Sequence, residues 1–102
     1  MHEAMKIKMS GRDVANAIRE SIDRLERKKQ EAESRFEGAA KGGSSEAKSE
    51  AYHAFYFHSV RQEKLRVILP YILAGDSYEL TMAEMEYFGM FEGIQGRIRR
   101  LG

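Results

Sequence analysis

The stretch from Ser49 to Leu73, SEAYHAFYFHSVRQEKLRVILPYIL, constrains the chain more than any other, because apolar side chains nearly surround it. Placed on a helix at about 100° per residue, Tyr56, Phe57, Val60, Val67, Ile68 and Tyr71 form one stripe, with Ala54, Leu65, Leu69 and Ile72 beside it. Ser59, Gln62, Glu63 and Arg66 fill the remainder. One neighbour does not cover a helix that is apolar over more than half its circumference. It must lie between at least two others, from the same chain or from a second copy.

The preceding segment supplies one such neighbour. Ala15, Ile18, Ile22, Leu25, Lys29, Ala32, Phe36 and Ala39 recur at alternating steps of three and four, the seam of a coiled coil. Arg19, Glu26 and Glu33 flank it on one side, and Ser21, Lys28 and Arg35 on the other. Lys29 is the departure: an ammonium in a seam is costly unless it snorkels or meets a carboxylate, and a single polar seam residue can set register. Ser10 stands at the N-cap position, with Asp13 placed to complement the helix dipole. Before it, Met1 to Met9 reads as a frayed, flexible arm, with Met1, Met5 and Met9 all eligible as the start.

Lys41, Gly42, Gly43, Ser44 and Ser45 end the first helix, the glycines accepting a left-handed backbone and Ser44 or Ser45 capping the next helix. So short a link between helices spanning about 11–40 and 45–69 implies an antiparallel hairpin roughly 40 Å long. Pro70 is expected to kink or end the second helix. After a turn at Gly75 and Asp76, Thr81-Met82-Ala83-Glu84 is a capping box that starts a third helix, about 82–100. Acids at 84, 86 and 92 and basic Arg97, Arg99 and Arg100 follow the order the dipole favours. Ala83, Tyr87, Met90, Phe91, Ile94, Ile98 and Leu101 form its apolar stripe, while Gly89, Gly93 and Gly96 gather opposite. That glycine side admits three readings: close approach of another backbone, room for a ligand, or a helix that breaks near Gly93.

The expected architecture is therefore all-α: a long antiparallel, coiled-coil-like hairpin plus a third C-terminal helix, residues 10–102 forming one domain completed by homo-oligomerisation. A chain of 102 residues leaves much of its surface exposed, which makes a symmetric homodimer or higher assembly the natural way to finish the core. Seventeen basic against sixteen acidic side chains leave a net charge of +1, no global footprint for nucleic acid. The absence of cysteine excludes disulfides, thiolate nucleophiles and cysteine-ligated zinc. No apolar run approaches the roughly 20 residues of a membrane span, and no signal-peptide pattern precedes the first helix. The expected setting is a soluble, cytoplasmic one.

Nothing in the sequence points to catalysis: there is no phosphate-binding glycine loop, dinucleotide fingerprint or nucleophile pattern. His53 and His58 lie about 140° apart on a helix and do not share a metal face. Glu50-x-x-His53 has the spacing of one ligand step in a di-iron bundle, with Glu33 or Glu37 as a further carboxylate, but the step is short and common. No cofactor or metal is expected. The remaining candidates, for a ligand or partner, are Tyr52, His53, Tyr56, Arg61, Lys64, Gly89, Gly93, Arg97 and Arg100. Rings can stack a base and cations meet phosphate, so one reading is an oligomer that sequesters a nucleotide-like anion at a protomer interface. The leading expectation is a non-catalytic helical protein of the regulator or inhibitor type, which pairs with itself and binds or blocks another macromolecule, a protein before a nucleic acid.

Overall fold

The computed structural model describes residues 5–91. Its elements are β1 (Lys6–Ser10), α1 (Gly11–Gly42), α2 (Ser45–Ile68), a 3-10 turn (Leu69–Tyr71), β2 (Ser77–Thr81) and α3 (Met82–Tyr87). They fall into two compact units, one of residues 5–21 with 68–91 and the other Ile22–Val67.

Ile22–Val67 is the expected antiparallel hairpin. At its turn Gly43 takes φ 75°, and the Ser44 N–H reaches back to the Ala39 carbonyl at 3.2 Å, the six-to-one bond of a Schellman ending. Ser44 then caps α2 by accepting from the Ala47 N–H at 3.3 Å. Two residues thus close one helix and open the next. The seam of α1 is buried as its spacing requires, Leu25 and Ala32 fully and Ile22, Lys29, Phe36 and Ala39 in part.

The buried face of α2 differs from the expected one. Tyr56, Phe57 and Val67, assigned to the core by the apolar count, are 61%, 58% and 58% exposed. The face that turns inward runs Ala51, Phe55, His58, Gln62 and Leu65, with Ala51, Gln62 and Leu65 fully buried. This is itself a seam at steps of four and three. The reason is geometric: a helix apolar over more than half its circumference has no single side selected by hydropathy, so the residues that match the three-four spacing of α1 are the ones that pack.

The other unit holds a ribbon that the pattern did not foresee. Lys6–Ser10, expected as a frayed arm, pairs antiparallel with Ser77–Thr81 in the register Lys6↔Thr81, Ile7↔Leu80, Lys8↔Glu79, Met9↔Tyr78 and Ser10↔Ser77. Lys8 faces Glu79, a favourable cross-strand pair. A ribbon of two strands is marginal alone and needs an apolar backing; this unit buries Leu80 together with Val14, Ala15, Ile18, Met85 and Met90. Ser10 accepts from the Asp13 N–H at 3.1 Å and caps α1 as expected. The Gly11 N–H donates to the Asp76 carbonyl at 2.7 Å, tying the start of α1 to the turn before β2. Pro70 ends α2, which tightens into the 3-10 turn after Ile68.

The third helix, expected over 82–100, is interrupted after Tyr87; α-helix is found again at Met90 and Phe91, and residues 92–100 lie outside the described range. Its capping box is present, Thr81 Oγ accepting from the Glu84 N–H at 3.2 Å and Glu84 Oε1 from the Thr81 N–H at 3.0 Å. Yet it closes at Tyr87, because Gly89 adopts φ 76°, a left-handed conformation that stops α-helical bonding. Gly89 is thus a helix terminator, four residues before the break considered at Gly93. Ser21, buried at the edge of this unit, shares its hydroxyl between the Ala17 and Phe88 carbonyls and holds that ending. Ile94, Ile98, Leu101 and Arg99 of the expected stripe and cluster, with Gly93, Gly96, Arg97 and Arg100, lie outside the described residues.

Candidate functional site

The hairpin is locked by a polar triad inside its seam. Lys29, the one charge among eight seam positions, donates from Nζ to Gln62 Oε1 at 3.0 Å and reaches Glu26 Oε2 at 3.4 Å. Gln62 in turn donates to Glu26 Oε2 at 2.8 Å and to the Ile22 carbonyl at 3.1 Å. The carboxylate that Lys29 needed is therefore one turn earlier on its own helix, and the partner across the seam is a neutral amide only 1% exposed. A side-chain amide offers both a donor and an acceptor, so Gln62 satisfies ammonium and carboxylate at once without placing a third charge in the core. Sliding α2 by one heptad would carry Gln62 away from Lys29, Glu26 and the Ile22 carbonyl together, which makes the triad a register lock.

The triad also sets an acid response. The Gln62 hydrogen bond, followed by the charge and hydrogen bond of Lys29 and the charge of Arg66, holds the Glu26 carboxyl below its ordinary range against a smaller opposing effect of burial. Bonds from the Thr81 backbone and then its hydroxyl lower Glu84 in the same way, with Lys6 adding a favourable charge. A carboxyl depressed in the folded state binds fewer protons than when unfolded. Its contribution is complete above the unfolded value of about 4.3 and disappears as pH falls through the lowered folded value. Glu26→Gln is expected to flatten the acid limb of a urea-denaturation series run from neutral pH downward; an unchanged limb would show that the triad carries no proton linkage.

On the outward side of α2, the sequence candidates do not converge. Tyr52, His53, Tyr56 and Lys64 are exposed, and Arg61 is half-buried with its guanidinium 5.9 Å from the Phe57 ring. At about 100° per residue these five positions spread over half the helix circumference, so a single molecule does not gather them around one anion. Gly89 belongs to the other unit, and Gly93, Arg97 and Arg100 lie outside the described residues. Glu50 and His53 are both exposed, and among the described residues no three His, Asp or Glu side chains form a metal-binding group.

Tyr52 lies at a concavity. With Glu33, Phe36 and Phe55 it lines an open groove of about 290 Å³ between α1 and α2. Two ammonium groups of the chain lie against these rings, Lys29 Nζ 5.6 Å from the centre of Phe55 and Lys48 Nζ 5.6 Å from that of Phe36. Protein-family models, curated proteins and solved structures contain no match to the chain. Sequence reasoning missed Phe36 because it belongs to the α1 seam, where an aromatic ring counts as core, and Phe55 because it was placed in neither apolar stripe of α2; the signal available was Glu33, a flanking carboxylate one turn from Phe36. No helix among the described residues is long and apolar enough to cross a membrane.

Proposed function

We propose that the chain is a non-catalytic binding protein that assembles with a second copy through the outer face of α2 and, so assembled, engages another macromolecule. The observation that supports this is the exposure of Tyr56, Phe57 and Val67 along one side of a helix whose opposite side is already buried. Large apolar side chains exposed along one side of a helix in a small chain favour an interaction site there. Aromatic anchors at its middle are the residue types that dominate interface energetics.

Charge selects the geometry. The first half of α2 carries Glu46 and Glu50 against Lys48, a net charge of −1, and the second half Arg61, Lys64 and Arg66 against Glu63, a net charge of +2. Antiparallel pairing of two α2 faces sets the acidic half of each against the basic half of the other, whereas parallel pairing sets like against like. A two-fold dimer is self-complementary in this way.

Phe57→Glu is expected to convert a dimer, read by light scattering or native mass spectrometry, into a monomer of unchanged helical circular dichroism, because the introduced charges meet at the centre of the proposed contact. A wild-type chain that stays monomeric into the millimolar range, or a dimer indifferent to this substitution, would overturn the proposal.

A further inference from the structure

We propose that the groove between α1 and α2 is a binding site for a small quaternary ammonium group, held by the rings of Phe36, Tyr52 and Phe55 with Glu33 as its counter-charge. The inference is independent of self-association: neither Glu33 nor Phe36 belongs to the α2 face described above.

Three properties of the groove select this chemistry. Its lining is three aromatic rings and one carboxylate, and ring faces carry negative potential that attracts a cation within about 6 Å of the centroid. The chain itself supplies the demonstration, since ammonium groups stand at 5.6 Å from two of those rings. The sign of the remaining group agrees, for Glu33 is exposed and makes no ion pair or hydrogen bond among the described residues. A nucleotide-like anion, the guest considered for Tyr52 from the sequence, meets the wrong charge here.

Donor counting then separates one kind of cation from another. A primary ammonium brings three N–H donors and a guanidinium five, and each donor left without an acceptor is costly to desolvate. Among the residues that line the groove only Glu33 and Tyr52 carry a side-chain acceptor, so it offers one carboxylate and one hydroxyl at most. A tetraalkylammonium has no donors at all, presents methyl groups to the rings and spreads its charge over them. The volume of about 290 Å³ suits a head group of that size and is small for a larger ligand. Lys48, beside Phe36, and Lys29, beside Phe55, are the competing cations, and of the two only Lys48 is exposed and outside the triad.

The experiment is an NMR titration of the full chain with tetramethylammonium chloride, in parallel with neopentyl alcohol, its neutral isostere, and with a lysine-containing peptide amide. Saturable shifts confined to the amides and ring protons of residues 33, 36, 52 and 55 are expected with tetramethylammonium. Neopentyl alcohol is expected to bind about tenfold more weakly, as loss of a cation–π contact implies. Glu33→Gln should weaken tetramethylammonium severalfold, and Lys48→Gln should tighten it by removing a competitor. Both residues are exposed, so neither variant threatens folding, and Phe57→Glu should leave the titration unchanged. Absence of saturable shifts overturns the proposal. So does equal binding of the neutral isostere, which makes the groove merely apolar, tighter binding of the lysine peptide, which makes the occupant a protein side chain, or indifference to Glu33→Gln.

Discussion

Alanine at position 11 is expected to release the β-ribbon from the start of α1, where an added methyl group meets backbone, whereas at Gly38, Gly42, Gly43 and Gly75 it would meet open space. A Cβ on Gly11 would lie 1.8 Å from the Leu73 carbonyl oxygen, 2.7 Å from its carbon and 3.2 Å from the Asp76 oxygen. All three are backbone atoms, so no side chain can swing away. The turn at residues 73–76 must move, and with it go the Gly11 to Asp76 hydrogen bond and the Ser10↔Ser77 end of the strand register. Two effects oppose each other. Alanine improves helix propensity by about 1 kcal/mol, whereas overpacking against rigid neighbours costs about 3 kcal/mol or more at so short a distance. The clash wins. Hydrogen exchange should show protection lost at residues 6–10 and 77–81; a neutral or stabilised Gly11→Ala variant would mean that the turn does not sit on Gly11.

Leu65→Ala and Phe57→Ala, eight positions apart on the same helix, should part company. Leu65 is 1% exposed on the inner seam, so truncation loses its transfer free energy and leaves a cavity, a cost of about 2–5 kcal/mol. That is a large share of the roughly 5–15 kcal/mol that holds a small domain together. Phe57 is 58% exposed and its removal from the monomer should change stability by no more than about 0.5 kcal/mol. Chemical denaturation of the two variants at a concentration that keeps both monomeric reads the difference. Comparable losses would return Phe57 to the core and turn α2 over.

The second comparison marks where the sequence was legible. The seam of α1 could be read in full because its other faces are charged, so that eight positions at three-four spacing stand out from Arg, Lys and Glu on every side. The seam of α2 has the same spacing, at Ala51, Phe55, His58, Gln62 and Leu65, but two of its five members are polar and its outer face is the more aromatic one. Counting apolar residues therefore did not tell which side of α2 meets α1. The polar member Lys29 was expected either to snorkel or to meet a carboxylate, and Glu26 supplies the carboxylate; that Gln62 completes the pair from the opposite helix depends on register, which no single-helix pattern contains.

The candidate site was legible in one residue of its four. Tyr52 stood out as a ring on a patterned helix, but Glu33, Phe36 and Phe55 join it only because α1 and α2 run antiparallel with Phe36 near the level of Lys48 and Lys29 near that of Phe55. The ribbon was illegible for a different reason. Lys6–Ser10 and Ser77–Thr81 are short, weakly alternating and more than sixty residues apart, and strand pairing is a property of two segments together.

Local chemistry in the chain determined its punctuation: Ser10, Ser44 and the Thr81–Glu84 box as helix starts, Gly43 and Pro70 as stops, and α1 and α2 as an antiparallel hairpin between them. These follow from backbone conformations and hydrogen bonds within a few residues, so neighbouring sequence suffices. Tertiary structure decided which side of α2 faces inward, the pairing of the two strands, the end of α3 at Gly89 and the grouping of three rings around a carboxylate. Each of those depends on the relative placement of distant segments, where packing against a particular partner outweighs what either segment prefers alone.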